Sequence, residues 1–363
     1  GDVSVTVTKD ADPEPQPAPT PTPTPTPEPK PTPAPTPESR RSPFILTAGQ
    51  SLRNAANFGA SLQNRGFELL GAPAAIMNYA RGFMPMKQDK VGGVWASTWY
   101  SHARVDNDSA DMKFKNYGVT IGADKQFGTG VAGLAVNLGK TEGRGRGKFD
   151  GSDSDGKHIG VSLYGARSLG NFTLTGDIGY NWHRDDYDST SGGDYYSARR
   201  GKSRVFTVGG TAWWNLRSNG RVNIKPFLGV RYSHFSMDDL SVKKNGADWS
   251  TIGGESVSQW TVPLGVKFDW TPMTTKKGWK IKPSVELAYV YAGGDRAINI
   301  RETVLSGGSA ARSTQMLTDK NNFRATLGLD AKRNNLTLGL GVNALLSSGQ
   351  KDVAVNATLR WDL

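Results

Sequence analysis

The chain contains no cysteine among its 363 residues. A disulfide framework, a thiol nucleophile and a thiolate metal site are therefore excluded. The chain also lacks any stretch close to the roughly 18 consecutive apolar residues that a membrane-spanning helix requires, and this excludes spanning by helices. Spanning by a β-barrel stays possible, because barrel strands need an apolar residue only at every second position.

A secretory signal is missing as well. The chain begins at Gly1 with neither a methionine nor a basic segment followed by an apolar core, which are the parts of a signal peptide. We therefore expect a mature or excised C-terminal fragment. Residues 3–8 (VSVTVT) have the pattern of the end of a β-strand. We expect this strand to belong to a region that lies upstream of Gly1.

Dense basic runs are also absent, although the formal net charge is +11. Lys and Arg are scattered over the chain, and no nucleic-acid-binding module is present. Solvated loops and a polar lumen explain the charge, and we expect no nucleic-acid partner.

Proline dominates one segment. From Pro13 to Pro37 every second residue is proline, and such a run favours polyproline II at about 3.1 Å per residue. The sequence predicts a semi-rigid linker over residues 9–43, roughly 75 Å long in its repetitive part. A ligand for proline-reading domains is the alternative, but the repeat lacks the positioned Arg or aromatic residues that give such ligands direction.

We predict a helix over residues 48–70, because this segment contains strong helix formers and has apolar residues spaced along it. Gly71 ends this helix, and Pro73 is placed to begin a second short helix over residues 74–81. The many small residues make the first helix slender, which suits a confined channel; a frayed or surface helix is the alternative. Its candidate pore-facing residues are Arg53, Asn54, Asn57, Arg65 and Glu68.

Beyond Gly92 the apolar period changes to two, the period of a strand with one apolar face. In the last segment, Leu359, Trp361 and Leu363 share the apolar face, and Arg360 lies on the polar one. Twelve such segments are present, near residues 93–102, 114–127, 131–141, 157–168, 171–184, 203–217, 222–235, 257–270, 279–292, 323–332, 336–344 and 353–363.

Short and long connections alternate between these segments. Longer loops are predicted near residues 103–113, 142–156, 185–202, 236–256 and 293–320. Outer-membrane barrels have tight periplasmic turns and longer external loops, and an even strand number places both barrel ends in the periplasm. The sequence therefore predicts an all-β fold: a twelve-stranded antiparallel transmembrane barrel over residues 92–363, with the helix region 44–91 in its lumen.

The two faces of the strands carry different side chains. Interfacial aromatic girdles are predicted from Trp99, Tyr100, Trp182, Trp214, Trp260, Trp270, Tyr289, Tyr291 and Trp361. Lumen-facing charges are predicted at Asp124, Asp177, Arg231, Lys267, Asp269, Glu286, Arg324, Asp330 and Arg360. The strands of a soluble sandwich or small barrel also alternate apolar and polar residues. Charged residues on nearly every polar face and the number of strands instead favour a water-filled lumen.

The chain resembles the translocator domains of autotransporters, the type V secretion proteins, and among them the pertactin-like branch. The resemblance covers residues 44–363. It is carried by a proline-rich spacer, then a helix, then GGVWASTWYSHARVDND, KPFLGVRYSHF and IKPSVELAYVYAG, and an amphipathic last strand.

The resemblance implies that residues 1–8 end a passenger region and that the helix threads the barrel. It also implies a monomer in outer-membrane lipid, assembled by the barrel assembly machinery through a C-terminal signal at Leu359, Trp361 and Leu363. Two features depart from the family pattern: the last residue is not Phe or Trp, and the helix has no adjacent Asn pair for self-cleavage.

Catalytic, metal and cofactor sites are not predicted. An enzyme barrel would need clustered groups at one rim, for which the available residues are His102, His183 and His234 with Asp185, Asp186 and Asp238. Solvated rim residues are the simpler interpretation. The glycine-rich segment at 143–156 lacks the strand and helix of a phosphate-binding loop.

The leading functional prediction is an outer-membrane translocator that anchors an N-terminal passenger and exports it to the cell surface. The alternative is an outer-membrane porin or channel with an N-terminal plug. No enzymatic activity is expected of this chain.

Overall fold

A computed structural model describes residues 44, 46–70, 92–216, 221–306 and 311–363. The predictions for the linker at 9–43 and for a second helix at 74–81 lie outside these residues. Within them the chain forms a helix α1 (Ala48–Leu69), a 3₁₀ turn (Gly147–Phe149) and seventeen strands.

Twelve of the seventeen strands form one closed wall. All seventeen are numbered in chain order. They are β1 (Gly92–Asn107), β2 (Ala110–Phe127), β3 (Gly130–Gly145), β4 (Ser152–Leu169), β5 (Phe172–Ser191), β6 (Asp194–Trp214), β7 (Val222–Met237), β10 (Ser256–Trp270), β12 (Lys280–Gly294), β15 (Asn321–Arg333), β16 (Leu336–Leu346) and β17 (Gln350–Asp362).

Each wall strand pairs antiparallel with the next one, and the last strand pairs with the first. The closing ladder between β1 and β17 runs from Gly93 opposite Asp362 to Val105 opposite Gln350. Closure leaves no free sheet edge, which is what a spanning sheet requires. The predicted twelve-stranded antiparallel barrel is confirmed.

The alternation of the sequence is oriented with its apolar face outward. On β17, Leu359 is 50% exposed, whereas Arg360 and Asp362 are buried inside. A soluble barrel would have the opposite arrangement, so the outer surface fits lipid rather than water. One predicted girdle residue is different: Trp99 lies on the inner face, where its indole N–H donates to Asn137 at 3.1 Å.

The predicted long loops are largely sheet. Strands β1 to β6 continue through three of them, so that β5 and β6 are joined only at Gly192–Gly193. The other two contain the hairpins β8 (Leu240–Lys244) with β9 (Ala247–Ile252) and β13 (Ala297–Val304) with β14 (Ala311–Met316), and β13 also pairs with β9. The opposite end has short connections and the two-residue strand β11 (Met273–Thr274).

These hairpins lie in segments that were predicted as loops between wall strands. Leu240, Val242 and Ile252 nevertheless alternate with polar residues, and all three are buried. Pairing between distant hairpins satisfies their backbone groups and covers these apolar side chains, which local sequence does not reveal.

Helix α1 lies in the lumen, and its 22 residues give a length of about 33 Å. The alternatives of a frayed or surface helix are wrong, because a continuous face of α1 is buried against the wall. This face comprises Leu52, Ala55, Phe58, Gly59, Leu62, Gly66 and Phe67. No helix in the described part of the chain is long and apolar enough to cross a membrane.

Candidate functional site

The candidate functional site is the lumen, where α1 lies against the inward face of β3 to β7. Because side chains alternate along a strand, each wall strand presents polar groups to the helix without changing its outer face. The helix is off centre. A cavity of about 220 Å³ lies between the helix and parts of β1 and β17, and one of about 770 Å³ lies at its C-terminal end.

The middle of the helix rests on a buried ion pair. Arg231 donates to both carboxylate oxygens of Asp177, at 2.9 and 2.5 Å, and both side chains are at most 7% exposed. Gln63 of the helix donates to Asp177 at 2.6 Å and accepts from Thr211 at 2.6 Å. A Cβ at Gly59 would overlap this ion pair, so only glycine allows the helix to approach so closely.

Arg65 makes the second contact between helix and wall. Its Nε donates to Asp124 at 2.9 Å, and its guanidinium lies 4.2 Å from the centre of the Trp95 ring. Asp124 also accepts from Tyr164 at 2.8 Å and from Arg360. One carboxylate therefore receives three donors, and charge-assisted bonds of this kind orient the arginine strongly.

Near the end of the helix, Glu68 lies between two lysines of the wall. Lys267 donates to it at 2.5 Å, and Lys282 donates to its other oxygen. Beside it, Phe67 stacks on Trp213 with ring centres 4.4 Å apart. The last turn of the helix is thus held by charge and by an aromatic contact together.

In the first half of the helix, Arg53 donates to Gln350 at 2.6 Å and to the carbonyl of Leu317 at 3.2 Å. Asn54 donates to Asn116 at 3.3 Å. Asn57 lines the cavities on both sides of the helix. Of the five candidate helix residues, four therefore contact the wall and one faces open space.

The other predicted lumen charges connect wall strands to each other. Asp269 accepts from Lys225, and Glu286 accepts from Arg324 at 2.9 Å. Asp330 lines the cavity at the C-terminal end of the helix. These three acidic residues neutralise or hydrate the wall, and they are separate from the helix contacts described above.

The end of the lumen where α1 begins is apolar. We call this region the mouth cluster, defined by buried residues of the segment entering the helix and of the surrounding strands and hairpins. They are Phe44, Leu46, Ala48, Leu52, Ala55, Tyr187, Tyr196, Ala198, Val205, Phe235, Leu240, Val242, Ile252, Val257, Ile298, Ile300 and Leu317. Two hydrogen bonds join the backbone of Leu46 to the Gln315 amide at 3.0 and 2.9 Å, and the Thr47 hydroxyl bonds Tyr187 at 2.9 Å.

The three residues predicted as an assembly signal lie outside the lumen. Leu359, Trp361 and Leu363 are 50%, 49% and 76% exposed on the outer face of the closing strand. They present a continuous apolar edge where β17 meets β1.

The histidines proposed for an enzyme rim do not converge. His183 is buried inside, where it packs against His158 with ring centres 5.2 Å apart. His102 and His234 lie on the outward face of their strands, and His234 bonds Ser258 at 2.9 Å. Among the described residues no three His, Asp or Glu side chains are grouped to hold a metal. The described interior contacts of α1 with the wall hold a helix.

Several residues of the site were not singled out from the sequence, notably Gln63, Lys282 and Gln350. Each is an ordinary polar residue at an inward position, and nothing local distinguishes it. Asp124 and Arg231 were recognised as lumen charges, but their partners come from strands far apart in the chain. Alternation identifies the face of a residue, whereas closure of the barrel selects its partner.

Residues 94–343 match the family described as the autotransporter β-domain. An extracellular serine protease of Serratia marcescens is 27% identical over 281 residues, which are 74% of this chain and 26% of the relative. The chain thus spans about a quarter of the length of that relative.

Two solved structures share the fold. The translocator domain of the autotransporter NalP from Neisseria meningitidis has a TM-score of 0.60 at 13% identity, covering 87% of this chain and 99% of the other. The β-domain of the Bordetella autotransporter BrkA has a TM-score of 0.52 at 15% identity, covering 74% and 98%.

Proposed function

The chain belongs to the autotransporter β-domain family, and from this premise we propose that its barrel anchors a passenger domain and exports it to the cell surface. The barrel is an integral outer-membrane translocator domain, as predicted. This membership favours secretion over the alternative of a plugged porin. The pertactin-like branch stays a prediction.

One observation carries the proposal: the helix occupies the lumen with its N-terminal end in the mouth cluster. Phe44 therefore lies at the hairpin end of the barrel, which we assign to the cell exterior because short turns of outer-membrane barrels are periplasmic. We assign residues 1–8 to the end of a passenger, 9–43 to an extracellular linker, 44–91 to the pore helix region and 92–363 to the barrel.

We assign no catalytic role to the barrel. The Serratia relative is a serine protease by name, and this chain matches only 26% of it. The chemistry of the lumen supports retention of a helix: Arg53, Arg65 and Glu68 each bond the wall. We propose that these contacts hold the exported chain in place and close the pore.

The apolar edge at Leu359, Trp361 and Leu363 supports recognition by the barrel assembly machinery. The outward apolar surface fits outer-membrane lipid, and wall closure within one chain fits a monomer. Replacing Trp361 by Arg should reduce the amount of heat-resistant barrel in the membrane, whereas an equal yield would contradict a role of this edge in assembly.

The direction of export is tested by cysteine labelling, because the chain has no cysteine of its own. In intact cells, a membrane-impermeant maleimide should label Thr20→Cys in the linker and Asp108→Cys in an external turn. Asn171→Cys, in a short turn at the other end, should be labelled only after the outer membrane is permeabilised. Protection of Thr20→Cys while Asp108→Cys reacts would overturn the export proposal.

A further inference from the structure

The outer face of the barrel has a groove near its short-turn end. Its floor is a row of three residues on neighbouring strands: Ile281 pairs with Ala331, and Ala331 pairs with Leu338. The methyl group of Ala331 between two larger side chains leaves a depression. The resulting groove has a volume of about 520 Å³.

A hydrogen-bonded turn lines one side of this groove. The backbone N–H of Thr275 donates to the carbonyl of Trp279 at 2.8 Å, and that of Gly278 donates to Thr275 at 3.0 Å. Gly278 has a φ of 80°, a conformation that favours glycine. The turn places Lys276 and Lys277, both exposed, at the rim of the groove.

The groove lies at the level of a membrane interface. Leu338 pairs with Leu359, and Leu336 pairs with the outward Trp361, so the groove floor is two residues, about 7 Å, deeper than this tryptophan. Outward tryptophans mark the headgroup region of barrels. The apolar row therefore lies in the hydrocarbon, and the lysines lie at the headgroups.

We propose that this groove is a binding site for one anionic phospholipid. An acyl chain fills the depression over Ala331, and the phosphate of the headgroup lies between the ammonium groups of Lys276 and Lys277. Lysines near a membrane surface attract anionic lipids. The groove beside these two lysines would hold the acyl chain of one such lipid in a fixed position. The proposed topology assigns the lipid to the periplasmic leaflet, but binding itself does not depend on it.

The same end of the barrel provides a matched control. Lys125 and Arg167 are exposed on the outer face near the short turns, and neither lines this groove. Removing their charges changes the net charge as much as removing those of Lys276 and Lys277. Only the second change affects the proposed site.

The test is native mass spectrometry of the full chain, released from mixed micelles containing equal amounts of phosphatidylglycerol and phosphatidylcholine. The unmodified chain should retain one phosphatidylglycerol preferentially. Lys276→Gln with Lys277→Gln should reduce this preference at least tenfold, at about fivefold per lysine. Lys125→Gln with Arg167→Gln should leave it unchanged, because neither side chain lines the groove.

A third variant, Ala331→Phe, fills the groove with both lysines intact and should also abolish retention of that lipid. An equal loss in both charge variants would reduce the effect to general surface charge and overturn the site. Unchanged retention in Ala331→Phe would likewise overturn it. A heat-shifted gel band identifies folded barrels in every case, and labelling at Thr20→Cys reports on export separately, so the two proposals fail independently.

Discussion

The two ends of the lumen hold the same helix by different physical means. At the mouth cluster, apolar residues such as Leu52 and Ile252 exclude water around the start of α1. Farther in, the helix is held by fixed hydrogen bonds and ion pairs, with Asp177 and Asp124 at their centres. Apolar packing seals without demanding exact directions, whereas buried charges require particular geometry and leave the rest of the pore polar.

This difference suits the proposed function. Among the described residues, two small apolar clusters contact the helix farther in, around Leu62 and around Phe67, and the largest apolar cluster lies where the hairpins gather over the mouth. Open cavities of about 220 and 770 Å³ lie beside α1 and at its C-terminal end.

Replacing Asp177 by Leu should lower the free energy of unfolding by about 3–5 kcal/mol, because Arg231 stays buried without its partner. Urea unfolding of the full chain in phospholipid, followed by tryptophan fluorescence, measures this loss. The control is Asp188→Leu, which breaks an exposed pair with Arg199 and should cost at most about 1 kcal/mol. Equal costs would show that burial does not set the strength of the lumen contacts.

Replacing Leu52 by Ala should cost about 2–3 kcal/mol, since this side chain is 3% exposed in the mouth cluster. The same unfolding measurement applies. Leu69→Ala, at the other end of the helix beside the large cavity, should cost less than about 1 kcal/mol. If Leu69→Ala cost more than Leu52→Ala, the main apolar support of the helix would lie at its C-terminal end, which contradicts this prediction.

Replacing Gly59 by Leu should cost about 1–3 kcal/mol through overpacking against the ion pair of Asp177 and Arg231. The displaced helix should also raise single-channel conductance in planar bilayers. Ser61→Leu adds the same side chain toward the open cavities and should not raise conductance. Identical conductance in the two variants would contradict a helix held by this wall.

Replacing Tyr187 by Phe should cost about 1 kcal/mol, because the hydroxyl and the backbone N–H of Thr47 both lose a buried hydrogen-bond partner. Hydrogen exchange should quicken at the amide of Ser51, which bonds the carbonyl of Thr47 at 2.8 Å. Tyr232→Phe removes an exposed hydrogen bond to Ser258 and should leave that amide unchanged. If Tyr232→Phe accelerated exchange at the Ser51 amide equally, the acceleration in Tyr187→Phe would reflect a loss of stability of the whole barrel.

Much of the barrel was predictable because its strands keep the alternation of apolar and polar residues found in soluble strands. The lipid environment changes only which face points outward. The faces of β17 follow directly from Leu359, Arg360 and Trp361. The exception, Trp99, shows the limit of residue type as evidence: an aromatic residue near a strand end also fits the lumen when Asn137 accepts its N–H. Parity along the strand, rather than chemical class, was the correct guide there.

The hairpins at the mouth of the lumen were less predictable, for a different reason. Their strands are short, and β13 pairs with β9 across some fifty residues of sequence. Local propensity does not encode such a pairing, because its stability comes from the apolar side chains that the hairpins cover together. The mouth cluster consequently became visible only in three dimensions.

The sequence by itself determined the number of wall strands, the face of nearly every wall residue and the slender form of the helix. These properties follow from period and side-chain size, which are local. Only the tertiary structure decided that Gly59 lies over the Asp177–Arg231 pair, that Glu68 lies between Lys267 and Lys282, and that the mouth is sealed by apolar hairpins. Those contacts depend on barrel closure and on the depth of the helix, which no single segment specifies.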